Sequence, residues 1–208
     1  MEDSLQVLRK DPLFAPLIKK YGPPVLVRDM GYFQSLVRSI IYQQVTGKAA
    51  ASISARFVGL FNEGSFPTPW DVCAKTIEEL RSAGLSGQKA KYINDLATKF
   101  ADGTIREKDL NRMSTEDITE HLVQVKGIGV WTVHMFLIFT LGRLDVLPVG
   151  DLGVRKGMQS VYKMKELPTP KQMERKAKPW RQHASVVSWY MWRVADDIKL
   201  SPPKKPKK

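Results

Sequence analysis

The chain has 208 residues, 43% of them apolar, which is enough to bury a sizeable core and argues against wholesale disorder. Its 33 Lys plus Arg against 21 Asp plus Glu leave a net charge of +12, which points to a polyanionic partner, nucleic acid first among them. A single cysteine, Cys73, excludes a disulfide framework, a four-Cys zinc site and an iron–sulfur cluster, and the histidines at 121, 134 and 183 lack the paired spacing of a zinc enzyme.

The opening residues carry no secretory signal pattern. The segment up to Pro24 is broken by Pro12, Pro16, Gly22 and the Pro23-Pro24 pair, so it predicts at most two short helices. From Tyr32 the periodicity is helical: Phe33, Leu36, Val37, Ile40, Ile41 and Gln44 recur at the 3–4 spacing of one face, predicting a helix over residues 32–45. The Ala-rich stretch 48–61 predicts another, ending near Gly64. Thr76-Ile-Glu-Glu is a capping box, and the short helix it starts stops at Gly84. Ser86 caps a helix carrying Ala90, Ile93, Leu96, Ala97 and Phe100, which ends before Gly103, and Ser114 caps the next, over 116–125. The longest strongly apolar run, 130–141, is too short for a membrane span and contains His134, so no membrane association is expected. Thr169-Pro170 starts a late helix, and the last runs over about 183–198. No period-2 alternation and no Asn-Gly turn interrupts this pattern. The fold class read from it is all-α, with about ten helices, and the compartment expected is reducing and intracellular.

Residues 201–208, SPPKKPKK, are read as a disordered basic tail: a nuclear import tag, a loose phosphate-binding arm, or a solvated terminus. Subtracting its four lysines from +12 leaves +8, so the folded part is basic in its own right.

The most informative segment is LVQVKGIGVWTVHMFLIFTLG, residues 122–142. An amphipathic helix ends at Val125, Lys126-Gly127-Ile128-Gly129 turns the chain, and an apolar helix follows. Two glycines spaced by one apolar residue allow positive φ and close backbone approach. They also leave the first N–H groups of the next helix pointing toward any anion, and a DNA phosphate is the natural one. Nine residues beyond Gly142, Asp151 stands between Gly150 and Gly153 at the start of a further helix. Such an Asp is either a plain N-cap or a carboxylate on display for chemistry.

In RSIIYQQVTGKAA (38–50), VKGIGVWTVHMF (125–136), DVLPVGDLGVRKG (145–157) and KPWRQHASVVSWYMWR (178–193), taken in order, the chain resembles the helix-hairpin-helix superfamily of base-excision DNA glycosylases. It is most similar to the alkylbase (3-methyladenine) branch in its compact eukaryotic form. The resemblance implies two helical lobes flanking a cleft, a single unit over residues 1–200, and the helix-hairpin-helix motif at about 116–142. It implies a monofunctional glycosylase that flips N-alkylated purines out of duplex DNA, acts as a monomer, and resides in the nucleus.

Residue by residue, the resemblance makes Asp151 the catalytic carboxylate. Departure of the base passes through an oxocarbenium-like state, which one nearby anion stabilises while orienting or deprotonating water. An alkylated purine already carries positive charge, so no second carboxylate of the glycoside-hydrolase kind is required. Trp131 stands where bifunctional relatives carry a Schiff-base lysine, which implies no lyase step. Trp131 and Trp189 match base-pocket positions, where indole faces attract a cationic base. Met135 stands where bacterial members of the branch carry a second pocket aromatic, and has His134 beside it, so the pocket is expected to differ from theirs. Tyr42 and Gln43 are placed near the cleft, whereas Tyr190 and Trp192, turned away from Trp189 by helical spacing, are read as core. Gln44 matches the wedge that fills the gap left by the flipped nucleotide, and Lys126, Gly127, Ile128 and Gly129 match the DNA-binding hairpin. No cofactor is required by the resemblance. A Na+ or K+ ion at the hairpin, held by the main-chain carbonyls of Val123, Val125 and Ile128, is implied.

Three other readings stay open from the residues alone. They are the same fold acting on another lesion, a non-catalytic helix-hairpin-helix DNA-binding protein, and a basic helical scaffold for protein partners. Asp151 counts against the second.

Overall fold

A computed structural model describes residues 1–26, 31–61 and 65–200, and among these every regular element is a helix. The basic tail at 201–208 lies outside the described residues. The helices fall into two compact units: Arg28–Leu141, and Met1–Val27 together with Gly142–Lys208.

In the first of these units the chain runs α3 (Tyr32–Tyr42), α4 (Gly47–Val58), α5 (Pro69–Cys73), α6 (Ile77–Ser82), α7 (Gly87–Ala101), α8 (Glu107–Leu110), α9 (Thr115–Leu122) and α10 (Val130–Phe139). Starts follow the capping chemistry. Thr76 Oγ1 accepts from Glu79 N while the Glu79 carboxylate accepts from Thr76 N, and Ser114 with Asp117 repeats the arrangement. Stops fall at glycines with positive φ: Gly84 at +93° and Gly103 at +80°. The central helix is α7, whose apolar face (Ala90, Ile93, Leu96, Ala97) is fully buried and packs against α3, α5 and α6. Phe33 of α3 sits 5.3 Å from Phe100, ring to ring, and joins Phe66 and Phe57 in an aromatic cluster. Burial of each such side chain contributes about 1.5–3 kcal/mol.

The second unit comprises α1 (Glu2–Leu8), α2 (Ala15–Tyr21), α11 (Leu152–Val161), α12 (Pro170–Ala177), a 3-10 helix (Lys178–His183) and α13 (Ala184–Leu200). Its core is the pair α11 and α13. An added Cβ at Gly157 would overlap the Met191 backbone, with Met191 Cα at 2.6 Å. Gly153 and Gly157, four residues apart, therefore form the face of α11 that lets α13 come close. Tyr190, buried in α13, donates to the Gly22 carbonyl at 2.9 Å and ties the N-terminal segment to this pair, and burial pushes its phenol up to about 12. Trp180 meets Phe14 edge to face at 5.9 Å and donates to Tyr162 Oη at 3.0 Å.

Two expectations require correction. The described residues hold thirteen α-helices and one 3-10 helix rather than about ten. The additions, α5, α8 and the Lys178–His183 turn, have 5, 4 and 6 residues, too few to express a period. The helix expected over 32–45 ends at Tyr42, and Gln44 has φ +55°, outside any helix.

Candidate active site

The hairpin lies between α9 and α10, and α7 holds it from below. Gly127 takes φ +84° and its Cα lies against the Tyr92 ring so closely that an added Cβ would overlap the ring. Only glycine meets both conditions. Gly129, by contrast, has φ −99° and serves as N-cap of α10. Having no side chain, it makes no side-chain cap bond to the first turn of α10. Lys126 is exposed at the tip. Its main-chain N–H donates to Asp95 Oδ2 at 2.9 Å, and Asp95 Oδ1 pairs with Lys99 at 2.8 Å.

Burial by itself would raise the Asp95 carboxyl. The Lys99 ammonium and the Lys126 N–H outweigh it and hold the group below its ordinary value of 3.8. A carboxylate depressed in the folded state contributes stability above its unfolded pKa, and that contribution is lost as pH falls through the folded value. Asp95→Ala is therefore expected to lower stability by about 1.5–3 kcal/mol at neutral pH, the range for a hydrogen bond to a charged group. The gap between variant and parent should close as pH drops below the carboxylate range. Urea unfolding at a series of pH values checks this; a gap independent of pH would contradict it.

The turn after α3 is tied to the same scaffold. Gln43 donates through its side-chain amide to the Gly127 carbonyl at 2.9 Å. Lys89 of α7 donates to the carbonyls of Ile41 and Gln43 at 2.8 and 2.6 Å, satisfying the end of α3. These bonds hold the exposed Gln44 in its left-handed conformation, a single strained residue beside the hairpin. Hairpin and Gln44 are thus brought together by side chains, Gln43 and Lys89, that sequence reading did not single out as their supports. Tyr42, at the end of α3, is half-buried with the Arg38 guanidinium 5.6 Å from its ring centre.

Trp131 is 51% exposed in the first turn of α10. His134 and Met135, three and four residues on, share its side of the helix and are half-buried, while Thr132, Val133, Phe136 and Leu137 face the core. Among the described residues no group of three or more His, Cys, Asp or Glu could hold a metal ion. The Val123, Val125 and Ile128 carbonyls lie in one turn, in which Ile128 N–H bonds Val125 O at 3.1 Å. Main-chain oxygens are a donor set that a hard cation accepts, and one of the three, Val125 O, also accepts from Ile128 N–H.

Asp151 belongs to the other unit and is 9% exposed. It does cap its helix: Oδ1 accepts from Val154 N at 2.8 Å. The same oxygen accepts from Trp192 Nε1 at 2.9 Å. The expectation that Trp192 is core is corrected here: the ring is half-buried and its polar edge is directed at the carboxylate. Trp189 is half-buried, with Tyr190 edge-on at 5.1 Å and the Arg193 guanidinium 5.2 Å from its ring centre.

Comparison with known proteins places these features in a family. Residues 37–182 match the HhH-GPD superfamily of base excision DNA repair proteins, a span that includes both the hairpin and Asp151. The chain is 33% identical to DNA-3-methyladenine glycosylase 1 of Schizosaccharomyces pombe, covering 92% of this chain and 85% of that protein. The solved structure of a Schizosaccharomyces pombe 3-methyladenine DNA glycosylase in complex with abasic DNA superposes with TM-score 0.80 at 30% identity, over 94% of this chain and 97% of that one. A DNA-3-methyladenine glycosidase from Bacillus halodurans superposes with TM-score 0.86 at 32% identity, over 95% and 91%. The hairpin on its α7 scaffold and the capped Asp151 are thus those of a member of the HhH-GPD superfamily of base excision DNA repair proteins.

Proposed function

We propose that this protein is a DNA glycosylase that removes N-alkylated purines such as 3-methyladenine from duplex DNA by hydrolysis, acting as a monomer. The observation that carries the reading is Asp151: a carboxylate 9% exposed, held by two donors at 2.8 and 2.9 Å, within a span matched by a base-excision family. Relatives named for 3-methyladenine support the substrate class.

The chemistry follows from one anion. The C1′–N9 bond breaks and its electron pair leaves with the cationic purine, which is thereby neutralised. The deoxyribose acquires oxocarbenium character, and the Asp151 carboxylate opposes that charge. Water then adds to C1′, and Asp151 accepts its proton. Lys126 and the first-turn N–H groups of α10 engage phosphate, Gln44 fills the vacated place in the duplex, and Trp131, with His134 and Met135 on the same side of α10, receives the base. Tyr42 and Trp189 are, by the same resemblance, further aromatic side chains assigned to base contact. An amine nucleophile is missing at position 131, where the residue is Trp, so we assign base release without strand cleavage. A monovalent cation held by Val123, Val125 and Ile128 carbonyls would add positive charge beside a DNA phosphate.

The test is to incubate the full chain with methylated genomic DNA and identify the released bases by chromatography, running the DNA on a denaturing gel in parallel. Release of 3-methyladenine with intact strands is expected. No base release from any alkylated DNA would refute the activity, and strand scission without added base or heat would refute the monofunctional assignment.

A further inference from the structure

We propose that Trp192 is a positioning residue for the Asp151 carboxylate, an inference that rests on the catalytic reading of Asp151. The bond from Val154 N at 2.8 Å is what any N-cap aspartate makes with its own helix. The bond from Trp192 Nε1 at 2.9 Å is different, because it comes from another helix, 41 residues further along the chain. Capping does not need it.

The surrounding residues are arranged to permit it. A Cβ on Gly153 would stand 2.8 Å from Trp192 Cδ1, 3.3 Å from Trp192 Nε1 and 3.1 Å from Asp151 Oδ1. Position 153 lies within α11, where glycine is a poor choice for helix stability. Its missing side chain is the space that the indole edge occupies. Gly157, one turn on, brings the Met191 backbone close and so sets the depth at which its neighbour Trp192 enters. Met191 is buried, whereas Trp192 is half-buried and reaches across α11 to its first turn.

Two donors from different elements converge on a single carboxylate oxygen. The capping bond restrains Oδ1 from its own helix. The Trp192 donor, fixed on a packed helix, restrains the same oxygen from a second direction and so sets how the anion faces the reacting sugar before reaction begins. Preorganised orientation of this kind raises the rate of the chemical step without changing how strongly DNA is held.

The test is single-turnover release of 3-methyladenine from an alkylated duplex, with binding to an abasic duplex and thermal melting measured on the same preparations. Trp192→Phe removes the N–H and keeps an aromatic ring. The excision rate is expected to fall about 10- to 100-fold, the worth of one hydrogen bond to a charged group, with abasic-duplex affinity unchanged. In an Asp151→Asn background the same substitution should cause no further loss, since it acts through the carboxylate. If Trp192→Phe does not fold, Gly153→Ala, which intrudes a methyl on the contact and leaves Trp192 in place, should give the same rate loss. A parental rate in a folded Trp192→Phe protein, with Asp151→Asn impaired, overturns the role of Trp192 and leaves the Asp151 reading intact. Equal losses in both backgrounds also overturn it, because Trp192 would then act independently of the carboxylate. A fully active Asp151→Asn protein removes the catalytic reading itself.

Discussion

Asp151→Asn is expected to reduce base release by about 10²–10³-fold, the usual loss when a preorganised electrostatic group is removed from a transition state. The substitution separates the capping bond that the structure shows from the charge proposed to act in base release. Asn caps a helix about as well as Asp, and its Oδ1 can still accept from Val154 N and Trp192 Nε1, now 2.8 and 2.9 Å from the aspartate oxygen. Melting temperature should therefore change little. Affinity for duplex DNA should be retained or rise, because a negative charge facing the phosphate backbone is gone. Base release, melting and duplex binding measured together distinguish the roles. A residue that only caps would show near-parental excision. A residue whose charge opposes an oxocarbenium-like state would show an intact fold, intact binding and little chemistry.

Gly127→Ala is expected to destabilise the hairpin by about 2–5 kcal/mol. Two effects add. A non-glycine residue at φ +84° pays about 1–2 kcal/mol for left-handed backbone. The new methyl also overlaps the Tyr92 ring, and overpacking of this kind costs about 1–3 kcal/mol. Relief by movement is restricted, because Lys126 N–H on one side is held by Asp95 and the Gly127 carbonyl is held by Gln43. Binding to undamaged duplex should weaken, with a shallower dependence on salt as phosphate contacts are lost. Adding Tyr92→Ala to Gly127→Ala removes the overlap but not the φ penalty, so stability should recover only in part. Full recovery would mean that the backbone conformation carries no cost there, and no initial loss would contradict the packing described for α7.

Both variants probe places where the chain has one acceptable residue, for different reasons. At Gly127 the limit is steric, imposed by a ring from a neighbouring helix. At Asp151 the fold alone would accept Asn, and the proposed chemistry is what would distinguish the two. Asp95 acts by neither route: its carboxylate supports, by hydrogen bond and charge, the hairpin that presents Lys126, and its contribution should fade on acidification as described above.

The amino-acid sequence by itself determined the all-helical class, the cap residues Thr76, Ser86, Ser114 and Thr169, the glycine hairpin and the position of Asp151. Capping bonds span three residues and a glycine turn spans four, so their physics is contained in a few neighbouring letters. The resemblance carried by four ordered segments added the family. Short elements such as α8 were missed because four residues cannot display a 3.6-residue period. Gln44 was read into α3 by its spacing. Its left-handed turn depends on Lys89 and Gln43, which lie far from each other in the chain and satisfy the carbonyls that end the helix and hold the hairpin. Trp192 was assigned to the core on helical spacing, which places a side chain around its own helix and cannot say what lies opposite. Only the approach of α13 to the glycine face of α11 brings the indole N–H to Asp151. Contacts of that range follow from how helices pack, and packing is settled by the summed burial of many side chains, which no local window of sequence contains.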